Sequence, residues 1–379
     1  MAKNNRILIY ADSLKRARFF KEFERYFEVV FITNKLSVYN YLKPSNVKLI
    51  KKTDKSLNID YSDSLSVLNG YHSEKEAQKI GASVVELLES LGEFEWFFIW
   101  NGTTTIGKTL KYYAKKHGKK TLFFEISNIE GRVFADKEGV LAQSYLYTHP
   151  EILDGYEINE EEFLKWRENY KKSKKTQKVI KSEIPYERII DYIGYLFGAV
   201  REDKRNYFSL FIKRLLNKKI SLPLEEPDFN KKYVFLPLQV SNDSQVRLFS
   251  KYDNISLIKE AKKIAKDKNL YLYIKPHPAE DDLNEIKKVF ELKEDFVKFV
   301  KGDLFDLILN AEEVVVNNST VGLEAMIFDR KVRILGEAFY KNFDKKRLIS
   351  YLQNYLTPLK YPQNNLDDEK IEFLKRFGL

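Results

Sequence analysis

Residues 313–335 read EVVVNNSTVGLEAMIFDRKVRIL, and this stretch decides the fold. The β-branched run Glu313–Val316 has the composition of a fully buried strand. Four small polar residues follow, Asn317 to Thr320, and then Val321–Phe328 carries apolar residues at helical spacing. A second apolar run, Lys331–Leu335, closes the unit. Strand, polar loop, helix and strand in this order are the repeating element of a parallel sheet covered by helices on both faces.

The same alternation extends outward from that unit. Upstream, strands are expected at Tyr233–Leu238, Leu270–Ile274 and Phe296–Val300, with helices at Ile255–Lys266, Leu283–Phe290 and Leu304–Leu309. The proline-bearing acidic stretch SLPLEEPDFN, 221–230, reads as a linker. Before it, residues from about 151 to 220 form a helical, basic insertion that includes RNYFSLFIKRLLNKK, 205–219. A solvated helix face is favoured there over a foot on an anionic bilayer. The first half resumes the alternation, with strands at Arg6–Tyr10, Val29–Ile32, Glu95–Asn101 and Lys120–Glu125, and helices at Ser73–Leu91 and Ile106–His117. The expected division is 1–222 as a first domain carrying the insertion, 223–230 as linker, 231–345 as a second domain, and 346–379 as a helical tail packing back on the first.

In open parallel sheets ligands bind beyond the carboxyl ends of the strands. Polar residues collect there: Asn101-Gly102-Thr103, Glu125, Gln239 through Gln245, Lys275-Pro276-His277-Pro278, and Asn317 through Thr320. Such endings outline a cleft faced by both domains. Ser319 or Thr320 caps a helix whose first amides favour a phosphate, beside Asn318, and Gly322 permits close backbone approach. Taken alone, Ser and Thr at this place are ordinary helix caps. Glu324, one turn into the helix, is placed to reach a ribose hydroxyl or else is a surface acid. In KPHP, each proline restricts the residue before it, so Lys275 and His277 are held extended, suited to a leaving phosphate. Asp243 sits on the loop after the strand at Tyr233; it is an ordinary turn residue or a carboxylate aimed at an anomeric carbon. Glu125 is the comparable acid in the first half, with Asn101, Gly102 and Gln245 lining the cleft. Asp136 and Glu138, before Gly139, read as a turn.

Composition removes several alternatives. The chain has no cysteine, which excludes disulfide scaffolds, thiolate zinc sites and cysteine nucleophiles. Only four histidines, at 72, 117, 149 and 277, and the lack of an Asp-x-Asp pair at a strand end argue against a metal site, so no metal or other cofactor is expected. No stretch approaches the roughly 18 apolar residues of a spanning helix, and the N-terminus lacks a signal-peptide core, so a cytoplasmic protein is expected. The net charge of +10 favours polyanions, among which nucleic acid is disfavoured because no recognition motif accompanies it.

The segments PLQVSNDSQV (237–246), IKPHP (274–278) and NNSTVGLEAMIFDRKVRILGEAFY (317–340) resemble the capsule polysaccharide biosynthesis proteins of Gram-negative bacteria, the retaining β-Kdo transferases. FIWNG (98–102) and FFEISNIEGRVFADKEGVLAQS (123–144) are similar to their first half, although many relatives carry a more acidic, glycine-containing stretch in place of EISNIEGR. The resemblance implies a GT-B-like α/β fold of two Rossmann-like parallel-sheet domains facing a central cleft. It also implies a CMP-Kdo donor or a related CMP-activated sugar, and a lipid-linked or glycan acceptor at the inner membrane. Carried over by position, it puts His277, Ser319 and Thr320 on the CMP phosphate, Asp243 as nucleophile and Glu125 as acceptor-side acid or base. A CDP-glycerol or CDP-ribitol phosphotransferase of the teichoic-acid type is the nearest alternative, and a non-catalytic polyanion-binding scaffold is the third.

Overall fold

The computed structural model describes residues 5–127, 129–176, 186–203, 222–280, 282–363 and 365–379, without the side chains of 174–176, 244 and 245. They fall into two compact units. The first takes the described residues within Met1–His149, Lys181–Arg205 and Asn354–Leu379; the second takes those within Pro150–Ile180 and Asn206–Gln353.

The first unit is built on a six-stranded sheet: β1 (Arg6–Tyr10), β2 (Glu28–Thr33), β3 (Val47–Leu49), β4 (Trp96–Trp100), β5 (Lys120–Ile126) and β6 (Val133–Asp136). Their order is β3-β2-β1-β4-β5-β6, parallel except for β6, which runs antiparallel to β5. Strand β4, WFFIW, is buried along its whole length, as a central parallel strand covered on both faces must be. On one face Phe19, Phe20, Phe23, Trp100 and Phe124 form an edge-to-face cluster that Tyr361 joins from the C-terminal segment. Each of these rings, removed from water, contributes about 1.5–3 kcal/mol before ordering costs. Leu359, Leu366 and Leu374 lie in the same core, so Asn354–Leu379 belongs to this unit.

The second unit has five strands: β7 (Tyr233–Pro237), β8 (Tyr271–Lys275), β9 (Val297–Phe299), β10 (Glu313–Val316) and β11 (Val332–Ile334). All pair in parallel, in the order β11-β10-β7-β8-β9. The strand–loop–helix–strand reading of 313–335 is what the structure has, with the helix at Thr320–Ile327. Both sheets are α/β.

Two boundaries expected from sequence are corrected. Pro150–Ile180 belongs to the second unit rather than the first. The helix Glu160–Thr176 packs Tyr170 against Phe305 and Phe328, and Arg167 pairs with Asp329 at 2.6 Å. The expected linker is partly structured, because Glu225 pairs with the β9 edge: its N–H donates to Phe299 O at 2.8 Å, and its carbonyl accepts from Lys301 N at 3.0 Å. The segment Arg205–Lys219 lies outside the described residues. No helix among the described residues is long and apolar enough to cross a membrane.

The turn expected at Asp136 is present, and the residue does more than turn the chain. Its buried carboxylate accepts from the N–H groups of Glu138 (2.8 Å), Gly139 (3.3 Å), Tyr145 (2.9 Å) and Leu146 (3.2 Å), and from the Tyr355 hydroxyl (2.7 Å). One side chain thus ties β6, the following turn and the C-terminal segment together. Asp136→Ala strands several buried donors and should cost at least about 3 kcal/mol, read as a drop in the urea midpoint. A change within error would show that these bonds are dispensable.

Candidate functional site

In the second sheet the strand order reverses between β7 and β10, and the loops leaving their carboxyl ends diverge to opposite faces. Such a switch point is where open α/β sheets bind ligands. Two side chains bridge it: Gln239 Nε2 donates to Asn318 Oδ1 at 3.2 Å. Asn318 is itself fixed by its amide bonding Phe249 O (3.4 Å), and the Gln239 backbone by Asn254 Nδ2 (3.1 Å). Neighbouring Asn317 is buried and braces the loop, accepting from Ser250 Oγ and donating to Tyr252 O at 3.1 Å. The Gln239 Oε1 and Ser241 Oγ atoms are buried with no protein partner, the two polar atoms here that a ligand's donors would satisfy.

Beside β7, strand β8 delivers the KPHP loop. The Ala279 N–H donates to His277 Nδ1 at 3.1 Å, which makes Nδ1 the acceptor and leaves Nε2 as the protonated donor of the neutral ring. Desolvation lowers the His277 pKa, opposed by the carboxylates of Asp243 and Glu280, so the neutral form prevails at pH 7. Glu280 also ties the two loops, accepting from Ser241 N at 2.7 Å. Asp243 starts the helix after this loop; its N–H donates to Val240 O at 2.9 Å, and its carbonyl accepts from Arg247 N at 3.0 Å. The Asp243 carboxylate lies near enough to His277 for its charge to act on the ring. The Lys275 ammonium donates to Gly302 O at 2.6 Å, and desolvation lowers its pKa against the pull of Asp303. A cavity of 390 Å³ lies along Lys275, His277 and Glu280, walled by Leu283 and Ile286. The Gln245 side chain is not among those described.

The helix after β10 starts at this switch point. Ser319 is its N-cap, its Oγ accepting from Val321 N at 3.2 Å, and exposed Thr320 is its first residue. Two amides of the first turn are already engaged, Val321 N by the cap and Gly322 N by the Ser319 carbonyl at 3.0 Å, so an anion here would have to share them. Two expectations here are corrected. Gly322 is buried, and a Cβ on it would lie 2.5 Å from the Tyr340 hydroxyl and 2.9 Å from Val316, so its missing side chain makes room for Tyr340 rather than for a ligand. Tyr340 in turn donates to the Ser319 carbonyl, fixing the cap. Glu324 is not a surface acid: it is 5% exposed and accepts from the Tyr170 hydroxyl at 2.9 Å.

The first sheet reverses order between β1 and β4, and a second polar cluster stands at that end. Asn101 adopts a left-handed conformation (φ 61°) and donates through Nδ2 to Glu125 Oε2, while Ile126 N donates to Glu125 Oε1 at 2.8 Å. Asn101 Oδ1 accepts from the N–H and hydroxyl of Thr103. Gly102 (φ 86°) is required sterically: a Cβ would sit 2.7 Å from the Phe123 ring. Sequence reading missed the rest of this cluster. Asp12, in YADS directly after β1, pairs with Arg16, whose guanidinium lies 5.1 Å over Trp100. Burial works against the Arg16 charge, but Asp12 and Glu125 outweigh it and hold its pKa above the usual value. The strand-end rule applied to YADS would have found Asp12.

Beneath lies buried Glu202. It accepts from Ile106 N at 2.8 Å, at the start of the helix Thr105–Lys116, and from the Tyr10 hydroxyl at 3.2 Å. Nothing in the sequence marks this residue. The other histidines are structural: His72 bonds Thr105 Oγ1 at 2.9 Å, His117 stacks on Tyr113 and His149 on Tyr145. Among the described residues no group of His, Asp and Glu is arranged to hold a metal ion.

A family model described as capsule polysaccharide biosynthesis protein matches residues 131–343. The chain is 26% identical over 272 residues to the capsule polysaccharide export protein KpsS of Escherichia coli, covering 65% of this chain and 68% of that protein. Among solved structures, the β-Kdo 2,7 transferase of Thermosulfurimonas dismutans KpsC aligns with TM-score 0.48 and 15% identity, over 98% of this chain and 99% of that one. The β-Kdo 2,4 transferase of the same protein aligns with TM-score 0.43 and 16% identity, over 68% and 78%.

Burial pushes the Glu202 pKa up to about 7, from a usual 4.5. The folded state then binds the proton more tightly than the unfolded one. This stabilisation is fully present below pH 4.5 and is lost as pH rises through about 7. Glu202→Gln cannot ionise, so relative to wild type it should gain up to about 3 kcal/mol between about pH 5 and about pH 8. Paired urea titrations at the two pH values measure this, and a pH-independent difference would refute it.

Proposed function

The chain belongs to the capsule polysaccharide biosynthesis protein family, and we propose that it is a glycosyltransferase of capsule assembly. Its donor is a CMP-activated sugar, Kdo or a related acid, and its acceptor is lipid-linked or a glycan. It works at the cytoplasmic face of the inner membrane. One observation carries the reading: the Ala279 amide occupies His277 Nδ1 at 3.1 Å and so leaves Nε2–H as the ring's donor, on the loop that Glu280 ties to the one after β7 through Ser241 N at 2.7 Å. The two stand at the carboxyl end of β7 and β8, next to a helix N-terminus.

In this reading the helix amides after Ser319 and the His277 Nε2–H hold the CMP phosphate, a neutral donor and a helix dipole serving one anion. Gln239 and Ser241 take donors of the ligand through their unpartnered oxygens. Asp243 attacks the anomeric carbon, the bond from that carbon to the phosphate oxygen breaks, and CMP departs with the electron pair. The acceptor hydroxyl then displaces the Asp243 carboxylate, giving its proton to a base, and two inversions leave net retention. Glu125, held by Asn101 and the Ile126 amide, is the acceptor-side acid or base. Bound phosphate needs no metal here, because its charge meets His277 and the helix amides.

Two measurements test this. CMP at a hundredfold excess over its Kd should stabilise the wild type by about 2.7 kcal/mol, and His277→Ala should lose most of that shift. Supplied with CMP-Kdo and a lipid-like Kdo acceptor, the wild type should form product while Asp243→Ala is slower by at least about a thousandfold. An Asp243→Ala variant that keeps its activity would remove Asp243 from the chemistry. A wild type that neither binds CMP nor turns over would remove the donor class.

A further inference from the structure

The helix Glu187–Leu196, ERIIDYIGYL, is mounted inside out. Its buried residues are Asp191 and Gly194. Asp191 accepts from Ser37 N (2.9 Å) and Ser37 Oγ (2.7 Å), with the Lys35 ammonium 3.9 Å away. Gly194 admits Leu36, whose Cβ would be 2.7 Å from an added Cβ. Lys35 and Lys52 donate to the Tyr195 hydroxyl (2.8 Å) and carbonyl (3.2 Å). Polar and small residues thus fasten the helix to the body, while its apolar residues face solvent.

Tyr186, Ile189, Tyr192, Ile193, Leu196 and Phe197 are between 42% and 80% exposed. Their spacing, 189, 192/193 and 196/197, is a continuous stripe along one helix face. Four further large hydrophobics are exposed among the described residues (Tyr112, Ile126, Leu164 and Phe229), none of them in this segment. A surface helix ordinarily does the reverse, and an exposed stripe of this kind marks an interaction face.

Charge identifies the partner. A 510 Å³ cavity adjoins the stripe at Tyr192 and Leu196, and Lys52, Lys79 and Arg201 line it against Asp54 and Glu76. In the sequence, 171–181 before the helix holds six lysines and no acid, and 204–219 after it holds Lys204, Arg205, Lys213, Arg214, Lys218 and Lys219 and no acid. A second copy of the chain would bring its own Lys52, Lys79 and Arg201 to the same rim, and like charges there oppose association. An anionic bilayer matches both features, apolar interior under a negative surface, and tyrosines at the edge suit the headgroup boundary.

We infer that the helix Glu187–Leu196 lies flat on an anionic lipid bilayer, with Ile189, Ile193, Leu196 and Phe197 in the acyl boundary and Lys52, Lys79 and Arg201 facing the headgroups. The inference rests on the reading that the acceptor is met at a membrane, and it names the surface that meets it.

The test uses the full chain and sedimentation with phosphatidylcholine vesicles, with and without phosphatidylglycerol. The wild type should bind the anionic vesicles, and the double variant Leu196→Asp/Phe197→Asp should bind about a hundredfold more weakly, near tenfold for each apolar side chain withdrawn. Both residues are so exposed that the melting temperature and the stabilisation by CMP should not change. Transfer to a short-chain, water-soluble acceptor should also be unchanged. Equal vesicle binding by variant and wild type overturns the assignment of this helix. So does a wild type that ignores vesicles but forms a dimer that the variant cannot form, because the face is then an interface between copies. If vesicle binding differs as expected but neither protein transfers sugar, the docking surface stands and the transferase reading falls.

Discussion

The bond from Gln239 to Asn318 spans the place where the second sheet changes direction, and much of the chemistry described above depends on that place. Parallel strands need long crossovers, and β7 sends its crossover to one side while β10 sends its own to the other. The gap between the two loops is therefore produced by topology and not by any side chain. What side chains do is hold its lips. Gln239 and Asn318 fix the separation, Asn317 braces the loop from behind, and Tyr340 clamps the first carbonyl of the helix. With those in place, the helix amides, the His277 ring and the Asp243 carboxylate occupy neighbouring strand ends without further adjustment.

How far a sequence discloses this depends on the range of the interaction. The unit at 313–335 was legible because its strand, loop and helix each follow from local composition. The KPHP loop and the residues after β7 were legible because strand-end position is a local property too. Gly322 and Glu324 were misread because their environments come from Tyr340 and from Tyr170, the latter 154 positions away. Their own neighbours in sequence give no hint of either ring. Strand β3, with three residues, and β6, which turns back antiparallel on β5, fell below the length and alternation that periodicity can register. In the first unit the strand-end rule was valid, but it was applied to Glu125 and not to Asp12. Glu202 had no signal at all, since a lone acid in a loop is ordinarily solvated.

Both switch points place an acid against a constrained partner, yet the two are tuned differently. Asp243 stands near a neutral imidazole that desolvation keeps uncharged. Glu125 is bonded by an asparagine amide and lies in the field of a permanent cation, Arg16.

The chain changes unit four times, after His149, Ile180, Arg205 and Gln353. Its first unit is completed by a middle segment anchored through Asp191 and by a C-terminal one anchored through Tyr355 and Tyr361. This braiding bears on how such proteins diversify. A single genetic crossover near residue 230 would not exchange one half for another, because it would leave the first core without its tail and the second without the Tyr170 helix. New pairings of the two units must then arise mainly by substitution within an intact chain, or by recombination at several junctions at once.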